Sequence, residues 1–148
     1  MILILLHIDL VGVQLFIESG VLFMKIQESA EDYLEAILHL GRIKEHVRSI
    51  DVVHHLGLSK PSVSVYLKNL RLNEYIDIDS NGYITLTDKG MAIASKISER
   101  HEILSNVLVS LGVNKEVALE DACKLEHAIS DESFEALKKY YLKQINNN

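Results

Sequence analysis

The sequence predicts a mainly α fold: a helix-turn-helix head closed by a small β-hairpin wing, then a second, wholly helical part. Three observations predict it. Two amphipathic segments between Ser49 and Leu72 are separated by a turn containing Gly57, the spacing of a helix-turn-helix. Directly after them the apolar period changes from 3.6 to 2 around Ser80-Asn81-Gly82, as a hairpin requires. From Thr87 onward the pattern returns to helical and stays so.

The first helix is expected to begin at Ser29, with Ser29 as its cap and Asp32 three residues on, as in a capping box. Tyr33, Leu34, Ile37, Leu38 and Leu40 form its apolar face, and Gly41 is expected to stop it. A short helix follows, capped by Ser49, packed through Ile50, Val52, Val53 and Leu56, and ended by Gly57. The third helix has Ser59 as N-cap. Pro61, the only proline, lies in its first turn, where a missing N–H costs nothing. Val63, Leu67 and Leu70 are its buried stripe. Strands are expected at 75–79 and 83–87, and helices at 88–111, 115–129 and 131–142, the last capped by Ser130 or Asp131.

Composition bounds the class. The chain has 148 residues, 48% hydrophobic and 24% charged, enough for one ordinary domain or two small ones. Its single cysteine, Cys123, cannot form an intramolecular disulfide, so a reducing cytoplasm is the expected compartment. The formal net charge is -6, which argues against indiscriminate nucleic-acid binding. The charge is uneven. Residues 39–90 hold seven Lys/Arg against six Asp/Glu, a net +1, which leaves -7 for the rest. The middle can touch phosphates, and the flanks hold surplus carboxylates suited to a cation.

Residues 1–23 are mostly apolar but carry Asp9, Glu18 and two glycines. They lack the basic start and the cleavage pattern of a signal peptide, and no uncharged run reaches membrane-spanning length. We read them as a non-functional extension arising from the start-site assignment, with the working protein beginning at Met24. An extra strand or helix, or a membrane anchor, are the other readings.

Residues with metal-ligand chemistry recur at helical spacing. Cys123, Glu126 and His127 stand at i, i+3 and i+4, so a thiol, a carboxylate and an imidazole share one helix face. Asp32 and Glu35 stand at i and i+3 on the first helix, and His101 lies midway along the long one. Three helices can thus supply six ligands to one cluster. Each residue also has a plain reading: Asp32 as a cap, Cys123 as a buried thiol, His101 as a polar core residue. The helices after the wing exceed what a DNA-binding head needs, which suggests a dimer interface. The full expectation is a winged helix-turn-helix at 24–90 followed by a helical metal-binding and dimerisation domain at 91–148.

From Ser29 onward the chain resembles the diphtheria-toxin-repressor family, which includes iron-dependent repressors and manganese transport regulators. The resemblance rests on Glu31-Asp32-Tyr33-Leu34-Glu35, Ser59-Lys60-Pro61-Ser62-Val63-Ser64, residues 82–90, Arg100-His101-Glu102 and above all residues 120–127 with Cys123, Glu126 and His127. It implies a dimeric, metal-activated repressor of metal-uptake genes. Iron-type members are similar at Cys123, Glu126 and His127 but usually have methionine in place of Asp32. Manganese-type members are similar at Asp32, Glu35, His101, Glu126 and His127 but have glutamate in place of Cys123. Leu119 and Ser105 stand where the iron type has a histidine and a glutamate of its ancillary site. The ligand set is therefore a hybrid for Mn²⁺ or Fe²⁺, one or two per subunit. The chain resembles the short members that lack an SH3-like domain.

The third helix is expected in the major groove of a palindromic double-stranded operator. Ser59, Pro61, Ser62 and Ser64 lie on its leading turns, Lys60 and Lys68 face phosphates, and Val65 or Tyr66 meets a thymine methyl. Arg48 and the wing-tip Asn81 are candidate backbone contacts, and some of the serines have the plain reading of caps. Metal acts as corepressor in this expectation. The rivals are a winged-helix regulator answering to a small molecule or protein, and a metalloenzyme. The second finds no HExxH, nucleophile elbow or phosphate loop in the chain.

Overall fold

The computed structural model describes residues 20–146, with side chains from residue 28. Six helices and one two-stranded sheet follow in the order α1 (Gly20–Ile43), α2 (Ser49–Leu56), α3 (Lys60–Leu72), β1 (Ile76–Ile78), β2 (Ile84–Leu86), α4 (Asp88–Ser110), α5 (Lys115–Ala128) and α6 (Asp131–Asn146). The reading of residues 1–23 as an extension falls outside the described residues up to 19, while Gly20–Phe23 belong to α1. No helix among the described residues is long and apolar enough to cross a membrane.

The head's core is built from Tyr33, Leu34, Ile37 and Leu40 of α1, Val52 of α2, Val63, Leu67 and Leu70 of α3, Ile76 and Ile84 of the wing, and Ala94 of α4. Apart from Ala94 these lie on the stripes and strands read from the sequence, while Leu38, Ile50, Val53 and Leu56 are only half-buried. α3 begins as expected: Ser59 Oγ accepts from the Ser62 N–H at 3.3 Å, and Pro61 sits in the first turn. Gly57 ends α2 with φ 65°, the left-handed geometry that glycine supplies at no steric cost.

Three expectations change. α1 begins nine residues before Ser29, so Ser29 is no cap. Its hydroxyl pairs with Tyr66 on α3, whose ring stacks on Tyr33 at 4.4 Å between centroids. Gly41 does not stop α1, which runs to Ile43. The residue before Ser49, Arg48, caps α2, its N–H donating to Asp51 Oδ2 at 2.8 Å.

The wing pairs Ile76 with Leu86, Asp77 with Thr85 and Ile78 with Ile84. Its loop is longer than the two-residue turn that Asn-Gly usually marks. Asp79 N–H donates to Tyr83 O, and Gly82, at φ 77°, donates back to Asp79 O. That is a three-residue connection with glycine in the left-handed position. Ile84 also donates to Val47 O at 2.8 Å, which ties the segment before α2 to the wing.

α4 joins the two parts of the molecule. Its N-cap Thr87 accepts from Gly90 N–H and donates its hydroxyl to Glu74 O. Farther on, Ile97 and Leu104 are buried, as are Ala118 and Ala122 of α5 and Phe134 of α6. α1 packs chiefly on α4, and α4 on α5. The middle turns of α1, which carry Glu31 and Asp32, thereby meet His127 of α5.

Candidate functional site

Five of the six residues expected to hold a metal are linked by short distances between α1, α4 and α5, and Glu35 is joined to them through its charge alone. His101, Cys123 and Glu126 each offer an atom within 4.8 Å of the others. His101 Nδ1–H donates to Glu126 Oε2 at 2.8 Å, and Cys123 Sγ lies 3.6 Å from the same nitrogen. Across the cluster, His127 Nε2 is 3.0 Å from Asp32 Oδ1 and 3.4 Å from Glu126 Oε1. Glu126 therefore sits between both histidines, with only 1% of its surface exposed. Glu35 senses Glu126, His101, His127 and Asp32 electrostatically. Cys123 marks the solvent side of the cluster.

The electrostatics have the form of a site that wants more positive charge. Burial, then the charge of Glu126, pushes the Glu35 carboxyl above its usual range. Burial, with Glu126, Glu35 and Asp32 behind it, pushes the Cys123 thiol up as well. The hydrogen bond to Glu126 raises His101 against its desolvation. For His127, burial pulls downward, but hydrogen bonds with Asp32 and Glu31 outweigh it and lift the imidazole to about 10. The proton on His127 thus offsets part of the charge of the carboxylates around it. An imidazole and carboxylate set with one soft sulfur fits a divalent transition ion once that proton leaves.

Glu31 is the member that the sequence reading missed. Its Oε2 accepts from His127 Nδ1 at 2.8 Å, across 96 positions of chain. With α1 recognised, the consecutive acids Glu31 and Asp32 were the available signal. A second unexpected feature is Arg100, which is 6% exposed. It donates to Glu126 O at 2.8 Å and Ile129 O at 2.9 Å, and it pairs with Asp131. It closes the C-terminal end of α5 from the position beside His101. At the ancillary positions, Ser105 is buried and spends its hydroxyl on Glu102 O, and Leu119 is 39% exposed.

α3 carries most of the side chains expected to meet DNA. Ser59, Lys60, Pro61, Ser62, Ser64, Val65 and Lys68 are all exposed. Ser59 and Ser62 are engaged with each other at 2.8 Å as part of the cap, while Ser64 and Val65 are open. α3 contains no acid. Among the described residues its cations Lys60, Lys68 and Arg71 have no acidic partner, whereas Lys44, Lys96, Lys124 and Arg100 all do. Arg71, which the sequence reading did not single out, shares with Ser64, Lys68 and Ser49 a groove that reaches the wing at Gly82. The Arg48 guanidinium lies 4.8 Å from the Tyr83 ring, and Asn81 is exposed at the wing tip, its N–H held by Asp79.

Comparison with known proteins agrees with this two-part organisation. Residues 25–84 match the model of the iron dependent repressor N-terminal DNA binding domain, and residues 87–144 match that of the iron dependent repressor metal binding and dimerisation domain. The chain is 35% identical over 114 residues to the transcriptional regulator MntR of Escherichia coli O6:H1, covering 77% of this chain and 74% of that one. It is 36% identical over 115 residues to an uncharacterized HTH-type transcriptional regulator of Methanocaldococcus jannaschii, covering 76% and 92%. Among solved structures, a manganese-dependent transcriptional repressor in complex with manganese superposes with a TM-score of 0.69 at 28% identity, over 75% of this chain and 51% of that one. The chain thus spans about half the length of that solved repressor. Two domain matches in the family's own order, together with these relatives, establish that the chain belongs to the iron-dependent (diphtheria-toxin) repressor family.

Proposed function

We propose that this chain is a cytoplasmic, homodimeric DNA-binding repressor activated by Mn²⁺ or Fe²⁺, acting on a palindromic operator of metal-uptake genes. The observation that carries the reading is the reach of the cluster. Asp32 and Glu35 belong to α1, whose other residues form the core of the head, while His101, Glu126 and His127 belong to the helical part. We divide the chain at 24–90 and 91–148, with α1 and α4 shared between the two. Asp32, Glu35, His101, Cys123, Glu126 and His127 are the ligands of this reading. A bound dication supplies the charge that lets these carboxylates share one site. Asp32 and Glu35 then hold α1 to Glu126 and His127 of α5, which narrows the range of positions the head can take. Two heads at a set spacing meet two successive major-groove half-sites.

On the DNA side, Lys60, Lys68, Arg48 and also Arg71 face phosphates, Ser59, Pro61, Ser62, Ser64 and Val65 lie at the bases, and Asn81 touches the backbone. The cluster binds and does not catalyse in this reading. The mixed sulfur and oxygen donors accommodate either ion, and one or two per subunit.

The test is fluorescence anisotropy of the full chain on DNA from upstream of its own gene, anaerobically, in chelator, Mn²⁺ and Fe²⁺. Binding that needs metal, and that Glu126→Ala abolishes, is the expected result. Equal binding in chelator favours a winged-helix regulator that answers to a small molecule or protein. Normal metal-dependent binding by Glu126→Ala excludes the cluster as the sensor.

A further inference from the structure

We infer that Glu31 is a positioning residue for the cluster: its carboxylate accepts the Nδ1 proton of His127 and so presents Nε2 as the ligand nitrogen. The inference rests on the metal-binding reading above. An imidazole offers its two nitrogens on different edges of the ring, and the hydrogen bond made by one decides which is left to bind a cation. Here the edges are clearly divided. Nδ1 faces Glu31 Oε2 at 2.8 Å, while Nε2 faces Asp32 at 3.0 Å and Glu126 at 3.4 Å. Glu31 is thus on the far side of the ring from the other carboxylates and is placed to orient, not to ligate.

The surroundings hold this choice in place. The His127 and Glu31 side chains are 8% and 15% exposed, so water does not readily replace either partner. Glu31 and Asp32 are consecutive on α1 and grip the two edges of one ring on α5. α1 packs chiefly on α4 and reaches α5 through these side chains. The same hydrogen bond that orients His127 is therefore also one of the side-chain links between α1 and α5.

Substitution separates orientation from ligation. Gln at position 31 keeps an acceptor for Nδ1–H but loses the charge, and Ala loses both. The Mn²⁺ affinity of the full chain is measured for the wild type, Glu31→Gln and Glu31→Ala, alongside melting in chelator. Glu31→Ala is expected to bind Mn²⁺ about 10–100-fold more weakly, and Glu31→Gln within about threefold of the wild type. With Cd²⁺ as a diamagnetic probe, the ¹⁵N spectrum of the wild type is expected to show the metal on His127 Nε2 and a proton on Nδ1. Unchanged affinity in a folded Glu31→Ala overturns the inference. So does an equal loss in both variants, which marks Glu31 as a ligand or a bare charge. Should Glu31→Ala not fold, Cd²⁺ on Nδ1 in the wild-type spectrum overturns it alone. A wild-type chain that binds neither ion overturns the metal reading and this inference with it, whereas a binding wild type with an indifferent Glu31→Ala overturns only the inference.

Discussion

His127 concentrates the chemistry at the scale of single residues. Its imidazole is lifted from 6.5 to about 10, against burial, by Asp32 and Glu31. A group raised on folding stabilises the folded chain fully below its ordinary value, and that contribution is lost as pH rises through about 10. A metal needs the unprotonated ring. Mn²⁺ uptake at pH 7 is therefore expected to release protons, and apparent affinity to climb with pH up to about 10. Calorimetric titration in buffers of different ionisation enthalpy reads the proton count directly, and buffer-independent heats would contradict the account. Arg100 contributes differently, through Glu126 O and Ile129 O. Arg100→Met leaves those carbonyls unpaired and is expected to cost about 1.5–3 kcal/mol of stability in chelator, measured by denaturant unfolding.

Two glycines separate the demands made on the elements. Gly90 lies where α4 crosses the corner between α3 and the wing, and a Cβ there would stand 2.0 Å from Tyr75 O. Backbone cannot yield as a flexible side chain can, so Gly90→Ala is expected to destabilise by about 1–3 kcal/mol or more. Gly41 is inside α1 with nothing within 4 Å of a Cβ. Gly41→Ala is expected to stabilise by about 0.5–1 kcal/mol, since it removes only the flexibility of an interior helical glycine. Thermal melting of both variants checks the opposite signs. The same contrast explains which elements were legible. The stripes of α2 and α3 and the Ser59 cap of α3 follow from local period and capping, which act within a few residues. The start of α1 and the continuation past Gly41 do not, because Ser29 and Gly41 carry local stop and start signals that tertiary packing overrides. Pairing of Val47 with Ile84 is long-range and had no pattern to announce it.

Over the whole molecule, a chain of net charge -6 combines an acid-free α3 with a carboxylate cluster between α1 and α5. Spacing and resemblance pointed to Asp32, Glu35, His101, Cys123, Glu126 and His127, and the fold places Asp32, His101, Cys123, Glu126 and His127 within short reach of one another. Glu31 was legible only as an acid next to Asp32, because its partner lies 96 positions away. Arg71 was overlooked although legible: it stands three residues after Lys68 and seven after Ser64 on α3, and so shares their face. If Lys68 neutralises phosphate, Lys68→Ala is expected to weaken operator binding at all sequences alike. It is also expected to lower the slope of log affinity against log salt by about 0.9 per contact, near 2 for a dimer. An unchanged slope removes Lys68 from the interface.

The central claim is that metal and operator act on one equilibrium through α1, and it is tested most directly by linkage. Mn²⁺ affinity of the full chain is measured with and without saturating operator DNA. Reciprocity requires operator to tighten Mn²⁺ binding by the same factor by which Mn²⁺ tightens operator binding, expected at about 5–150-fold. Asp32→Ala is expected to shrink that factor towards one, because it removes an α1 partner of His127. Identical Mn²⁺ affinities in the presence and absence of operator would show a metal site uncoupled from DNA binding and would contradict the account.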